Sequence, residues 1–256
     1  MLLAIDIGNT NIVMGVFEGE RLRATWRLAT DVHKLADEYA VILLNLLPRD
    51  GLALSEIKDV ILSSVVPPLV ATFEELCRRY VGVEPLVVGS GVKTGVRILT
   101  ENPREVGADR VVNALAAHRL YGGPVIVIDF GTATTLDAVS EEGDYLGGAI
   151  APGIGIAAEA LFERASKLPR VELVRPKNAI GKNTVTSMQS GLIFGYVGLI
   201  EGIVARIRDE LGGEAKVVAT GGLAQTMARE TRVIDVVNPD LTMLGLRLIH
   251  ELNSKR

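Results

Sequence analysis

The sequence predicts an α/β protein made of two duplicated halves, each a mixed sheet flanked by helices, and three observations predict it. The stretch "LLAIDIGNTNIVMGVF" (residues 2–17) is an apolar run that ends in Asp6, turns through Gly8, Asn9, Thr10 and Asn11, and resumes as an alternating strand. A second stretch, "VIVIDFGTATTLDAV" (125–139), repeats it: placing Asp6 on Asp129, an offset of 129 − 6 = 123, sets Gly8 on Gly131 and Asn11 on Thr134. An acidic glycine turn follows each, "FEGERL" in one and "SEEGDYL" in the other, and the offset is close to half of the 256 residues.

The remaining elements follow in order. Strands are expected at about 2–8, 11–17 and 21–28. A helix carries Leu35, Tyr39, Ile42, Leu43, Leu46 and Leu47 at helical spacing and is ended by Pro48 and Gly51. The buried-type strand "KDVILSSVV", a helix opened by Pro67 and Pro68, and a short strand near 85–88 come next. After a helix at 108–121, the second half repeats the scheme with strands at 124–130, 133–140 and 144–151 and helices at 154–165 and 184–211. The strand "AKVVAT", a Gly-Gly turn, a helix to about 229, the strand "RVIDVV" and a terminal helix from 241 complete it. Three strands followed by alternating helix and strand is the ribonuclease H-like half-domain pattern. The halves are therefore drawn at 1–122 and 123–256, with the boundary at Gly122 and Gly123. Lobes of this kind are expected to face each other across a groove, with their hairpin loops pointing into it.

Composition narrows the function. Apolar residues make up 48%, charged residues 23% and aromatics 4%, the balance of a soluble α/β chain. A net charge of −4 without a basic run argues against nucleic acid as a partner. The apolar stretches are broken by charges, Gly or Pro before the roughly 20 residues needed to span a bilayer. No basic leader precedes Asp6, so the expected location is the cytoplasm and no membrane partner is expected. The single cysteine, Cys77, excludes an internal disulfide, and His33, His118 and His250 lie too far apart in sequence for a metal-ligand spacing or a Ser-His-Asp arrangement.

Glycine-containing hairpins suit nucleotide phosphates because backbone N–H groups approach the oxygens where no Cβ intervenes. Asn9, Thr10, Asn11, Thr132, Thr134 and Thr135 add side-chain donors. Carboxylates at Asp6 and Asp129 cannot face phosphate unpaired, so they either cap their turns or hold cations: hydrated Mg²⁺ at one, Mg²⁺ or a monovalent ion at the other. No Walker-type loop is present, since "IGKNT" lacks the first Gly and the following hydroxyl residue. "GIGIAA" from Gly153 reads as close packing at a strand–helix corner. "ATGGLA" (219–224) fits either an adenosine-binding turn or a simple strand-to-helix turn. In "ENPREVGADRVVNA" (101–114), Gly107 and Ala108 leave a helix N-terminus open as an anion site, with Asp109 and Arg110 in its first turn. That pair reads either as a dipole-favoured cap with a solvated neighbour or as a base with a substrate clamp.

"DIGNTN", "NPREVGADR", "DFGTATT", "GGAIAPG", "KLPRVEL", "IGKNTV", "ATGG" and "DLTMLGL" occur in the order found in type III pantothenate kinase, which the chain resembles over nearly its whole length. That family belongs to the actin-like ATPase superfamily. The resemblance implies ATP-dependent phosphorylation of pantothenate to 4'-phosphopantothenate, with Mg²⁺ and K⁺ or NH₄⁺ as cofactors, in a homodimer. It places ATP on Asp6, Ile7, Gly8, Asn9, Thr10, Asn11, Ile12, Val13 and Thr132. The resemblance gives Asp129 the monovalent cation, and the residue reading assigns Asp6, where the strand runs into the hairpin, to Mg²⁺ through water. Pantothenate falls on Gly107, Ala108, Asp109 and Arg110, with Asp109 as proton acceptor and Thr184 reaching in from the dimer-related subunit. Many members carry Tyr where this chain has Thr100. Two rival readings are a non-catalytic ATP-binding module, disfavoured by Asp109 beside Gly107, and a kinase for another small hydroxylated acid or sugar.

Overall fold

A computed structural model describes residues 1–254. The chain runs β1 (Leu2–Ile7), β2 (Asn11–Glu18), β3 (Arg21–Ala29), α1 (Ala36–Arg49), β4 (Asp59–Ser64), α2 (Pro67–Leu76), β5 (Leu86–Val87) and α3 (Ala108–Tyr121). It continues with β6 (Val125–Phe130), β7 (Ala133–Val139), β8 (Tyr145–Pro152), α4 (Ile154–Arg164), α5 (Thr184–Glu210), β9 (Lys216–Thr220), α6 (Ala224–Ala228), β10 (Val236–Val237) and α7 (Leu241–Ser254). Two five-stranded sheets result, ordered β3-β2-β1-β4-β5 and β10-β9-β6-β7-β8. In each, three strands form an antiparallel meander and the last two add in parallel beside the first. The chain divides into two compact units: one holds Met1–Val96, Asn102–Ala116 and the chain from Leu241, the other Arg97–Glu101 and Ala117–Asp240.

The two sheets are copies down to their irregularities. β1 and β6 share one burial pattern, fully buried except at Asp6 and Asp129, as expected of a central strand covered on both faces. Four residues separate the paired Ile7 and Ile12, whereas three separate the paired Phe130 and Thr134. The second hairpin is one residue shorter, so Asn11 matches Ala133, and Thr134 matches Ile12. The offset of 123 therefore holds for β1 and β6 but falls to 122 along β2 and β7. A register shift occurs at Val16/Phe17 and again at Ala138/Val139, the same place under that shorter offset.

In the first unit, one face of the sheet (Leu3, Ile5, Ile7, Ile12, Met14, Val16) packs against α1 and α2 through Tyr39, Leu43, Leu47, Leu69 and Phe73. The Tyr39 and Phe73 rings stand 4.8 Å apart. Leu35 lies outside α1 and is 66% exposed, and Pro48 sits inside the last helical turn rather than ending it. The opposite face (Leu2, Ala4, Phe17, Ile61) is covered by Val112 and Leu115 of α3 and by Met243, Leu246 and Ile249 of α7. Gly245 allows α7 to cross α3 closely: a Cβ there would lie 2.4 Å from the Val112 carbonyl oxygen.

In the second unit, Ile126, Ile128 and Phe130 pack against Leu192, Ile193, Tyr196, Ile200 and Val204 of α5. The Tyr196 hydroxyl donates to the Pro152 carbonyl at 2.6 Å. By length and composition α5, 27 residues with a mean hydropathy of 1.5 in its most apolar window, could cross a membrane, which the sequence reading did not anticipate. Its buried residues instead line this core.

Candidate active site

Asp6 lies at the carboxyl end of β1, between Val13 of β2 and Ser63 of β4, where the apolar face of the sheet gives way to polar groups. Beyond it the hairpin closes tightly. The Gly8 N–H donates to the Asn11 carbonyl at 3.0 Å, and a Cβ on Gly8 would meet that oxygen at the same distance. Thr30 fixes the loop from the side, its hydroxyl donating to the Gly8 carbonyl at 2.6 Å and its N–H to the Thr10 carbonyl at 3.0 Å. Asn9, Thr10 and Asn11 stay exposed while Ile12 is buried and Val13 half-buried. Apolar anchors thus hold a polar loop in one shape.

The helix start predicted at Gly107 is joined to this loop within the same unit. After β4, the Val65 N–H donates to the Ile7 carbonyl at 3.0 Å, and a Cβ on Gly107 would lie 3.5 Å from Val65 Cγ1. The Gly107 carbonyl accepts from the Arg110 and Val111 N–H groups at 3.1 and 3.3 Å, opening α3. Asp109 Oδ1 accepts from the Arg110 N–H at 2.8 Å and would lie 2.6 Å from a Cβ on Gly107, so only glycine leaves that carboxylate room. Ala108, Asp109 and Arg110 are all partly exposed. The unit therefore gathers Asp6, the hairpin and Asp109 through contacts at Ile7, Val65 and Gly107. Backbone amides at a helix N-terminus and in a glycine hairpin favour anions, and carboxylates as a chemical class can accept a proton or hold a cation.

The second unit repeats the carboxylate and its loop. Asp129 ends β6 between Thr135 and Thr220. The Gly131 N–H donates to the Ala133 carbonyl at 3.0 Å. The exposed Thr132 accepts through its carbonyl from the Gly153 N–H at 3.1 Å, and a Cβ on Gly153 would strike that oxygen at 2.2 Å. The "GIGIAA" corner is thus close packing of β8 and α4 against the hairpin. Gly221, in the left-handed region at φ +92°, would place a Cβ 2.5 Å from Asp129 Oδ1. The Gly-Gly turn after β9 is therefore shaped around the carboxylate. Thr184 is the exposed first residue of α5, where Asn183 caps the helix by accepting the Thr186 N–H at 2.9 Å. Among the described residues, no three His, Cys, Asp or Glu groups gather at one point. Any cation held here completes its shell with hydroxyl, water or phosphate oxygens.

Sequence reasoning passed over three polar groups near these carboxylates. Ser63 is fully buried beside Asp6 and Thr220 is 2% exposed beside Asp129, so each carboxylate has a hydroxyl residue on the parallel neighbouring strand. The signal was present, since "VILSS" and "VVAT" both turn from apolar to hydroxyl at that point. Asp137, 1% exposed, accepts from the Tyr145 hydroxyl at 2.7 Å.

A family model described as type III pantothenate kinase matches residues 2–206. A type III pantothenate kinase from Moorella thermoacetica is 59% identical over 254 residues, 99% of this chain and all of that protein. Among solved structures, a protein from Campylobacter jejuni described as a Baf family transcriptional activator superposes with a TM-score of 0.64 at 20% identity, covering 99% of this chain and 100% of that one. An inorganic polyphosphate/ATP-glucomannokinase from Arthrobacter sp. strain KM superposes at 0.52 with 14% identity, covering 98% of each chain. These structural likenesses show a duplicated ribonuclease H-like fold shared with sugar kinases, while the sequence matches reach the activity. The chain belongs to the type III pantothenate kinase family, the enzymes that phosphorylate pantothenate at the expense of ATP in the first step of coenzyme A biosynthesis.

Proposed function

We propose that Asp109 is the proton acceptor of this kinase and that residues 6–13 and Thr132 hold the phosphates of ATP. The observation that carries the reading is the Ile7–Val65–Gly107 contact chain, which sets the Asp109 carboxylate in the same unit as the Asp6 hairpin. Pantothenate lies on Gly107, Ala108, Asp109 and Arg110. Its hydroxyl oxygen forms a bond to the γ-phosphorus of ATP as the bond from that phosphorus to the bridging oxygen breaks, ADP leaves, and the hydroxyl proton passes to Asp109. Amides of the glycine hairpin after Asp6 orient phosphate oxygens without covalent chemistry. The donor sets fit two cations: Asp6, beside the Ser63 hydroxyl, suits hydrated Mg²⁺, and Asp129, between two threonines, suits K⁺ or NH₄⁺. Bound there, these ions neutralise phosphate charge.

Thr184 of the partner subunit completes the pantothenate site in a two-fold homodimer, and the enzyme works in the cytoplasm. Support for that assembly comes from α5, where Gly191, Gly195 and Gly198 lie exposed with open space where a Cβ would stand.

Steady-state kinetics across a Mg²⁺ series, with calorimetric binding, separate the two carboxylates. Asp109→Asn keeps size but not basicity, so kcat should fall about 10² to 10⁴-fold while both substrates still bind. Asp6→Asn should raise the KM for MgATP and recover partly at high Mg²⁺. Near-normal kcat in Asp109→Asn, or its rescue by Mg²⁺, makes Asp109 a helix cap and removes the assignment.

A further inference from the structure

In the second sheet, β7, β6 and β9 set Thr135, Asp129 and Thr220 side by side in one row, on one face. Two residues along β7, on that same face, Asp137 is 1% exposed. Its Oδ2 accepts from the Thr135 hydroxyl at 3.1 Å and its Oδ1 from the Tyr145 hydroxyl at 2.7 Å. The first half shows that the fold does not require this network. With the one-residue difference in hairpin length, Thr135, Asp137 and Tyr145 fall on Val13, Gly15 and Leu22, and the row across Asp6 reads Val13, Asp6, Ser63. The corresponding position there is tight, since a Cβ on Gly15 would lie 3.1 Å from both Leu22 Cδ1 and Met243 Sδ. A carboxylate buried in the second sheet is costly unless fully bonded, and one half of the molecule does without it.

A threonine hydroxyl has a single proton. Thr135 gives that proton to Asp137, so its oxygen turns only lone pairs toward any further neighbour. Such an oxygen repels phosphate and suits a cation, and its residue is the cross-strand partner of Asp129, whose other neighbour in the row is Thr220. We propose that Asp137 is a positioning residue that fixes the Thr135 hydroxyl as a ligand, together with Asp129 and Thr220, of the monovalent cation. The inference rests on the cation reading of Asp129 and deepens it: one carboxylate with neutral hydroxyls gives a low-charge oxygen site matched to a singly charged ion.

The test is a K⁺ titration of the whole enzyme read in two ways, as the rise in Tm without substrates and as the activation of turnover. Thr135→Val installs the residue that the first half carries at the equivalent strand position. It should raise the K⁺ needed for half-effect about 10 to 100-fold in both readouts, with the Mg²⁺ requirement unchanged. Thr135→Ser should behave as wild type. Asp137→Asn turns an N–H toward Thr135 or Tyr145, releases the Thr135 proton toward the cation, and should weaken K⁺ as well. Wild-type K⁺ half-effect in folded Thr135→Val and Asp137→Asn overturns the inference while leaving the cation at Asp129 in place. A wild-type enzyme with no K⁺ response in either readout removes the cation reading itself and this inference with it.

Discussion

Asp6 and Asp129 occupy the one position in each central strand where burial breaks, and the glycine two residues later lets the chain turn back at once. That combination was legible because a carboxylate inside a Val/Ile run has no packing explanation. Asp137 was not legible for the opposite reason: along an alternating strand, a polar residue at every second position reads as the solvated face. Only the burial of that face distinguishes it, and burial is a property of what packs above the sheet. Cys77 shows the same divide. The sequence says it is unpaired; the structure buries it completely, and burial pushes the thiol up to about 12. Near pH 8 it is therefore a thiol, not the nucleophilic thiolate. A disulfide-exchange reagent at pH 8 should label the native protein at less than about a hundredth of the rate seen in denaturant. Rapid labelling of the folded enzyme would contradict that environment.

Elements were easier to read than their ends. Helices and strands emerged from periodicity because each buries one defined face. The single residue missing from the second hairpin was invisible, since aligning Asn11 with Thr134 pairs two small polar residues equally well. Backbone pairing settles it, because Gly131 closes on Ala133 where Gly8 closes on Asn11. Similarly, Leu35 has the right spacing for α1 but precedes the helix, where Glu38 accepts its N–H at 2.9 Å. The packing of α7 on α3 gives a prediction at this scale. Gly245→Val places side-chain atoms against the Val112 carbonyl, and overpacking of this kind costs about 1–3 kcal/mol. Chemical denaturation should show a lower midpoint with an unchanged slope, whereas substitution at the exposed Gly155, which has open space around it and no positive φ, lacks that clash. An undiminished midpoint in Gly245→Val would mean that α7 lies farther from α3 than described.

Across the whole molecule, duplication supplies two similar sheets, and divergence surrounds their carboxylates differently. The first carries its carboxylate with the Gly107–Asp109 helix start; the second surrounds its carboxylate with hydroxyls and Gly221. Homodimerisation through α5 is the expectation at this scale. Replacing Gly195, exposed in the middle of that helix, with Arg should convert a dimer into a monomer in light scattering and abolish pantothenate turnover, while the far-ultraviolet circular dichroism stays unchanged. A fully active monomeric wild type would reject the shared site. The central claim, that this fold directs ATP's phosphoryl group to pantothenate through Asp109, is tested most directly by coupled ADP release. Wild type and Asp109→Asn are each assayed with pantothenate, with a panel of sugars, and with no acceptor. The account predicts rapid release by wild type with pantothenate alone and near-background release by the variant. Equal release with sugars or without acceptor, or an undiminished variant, would contradict it.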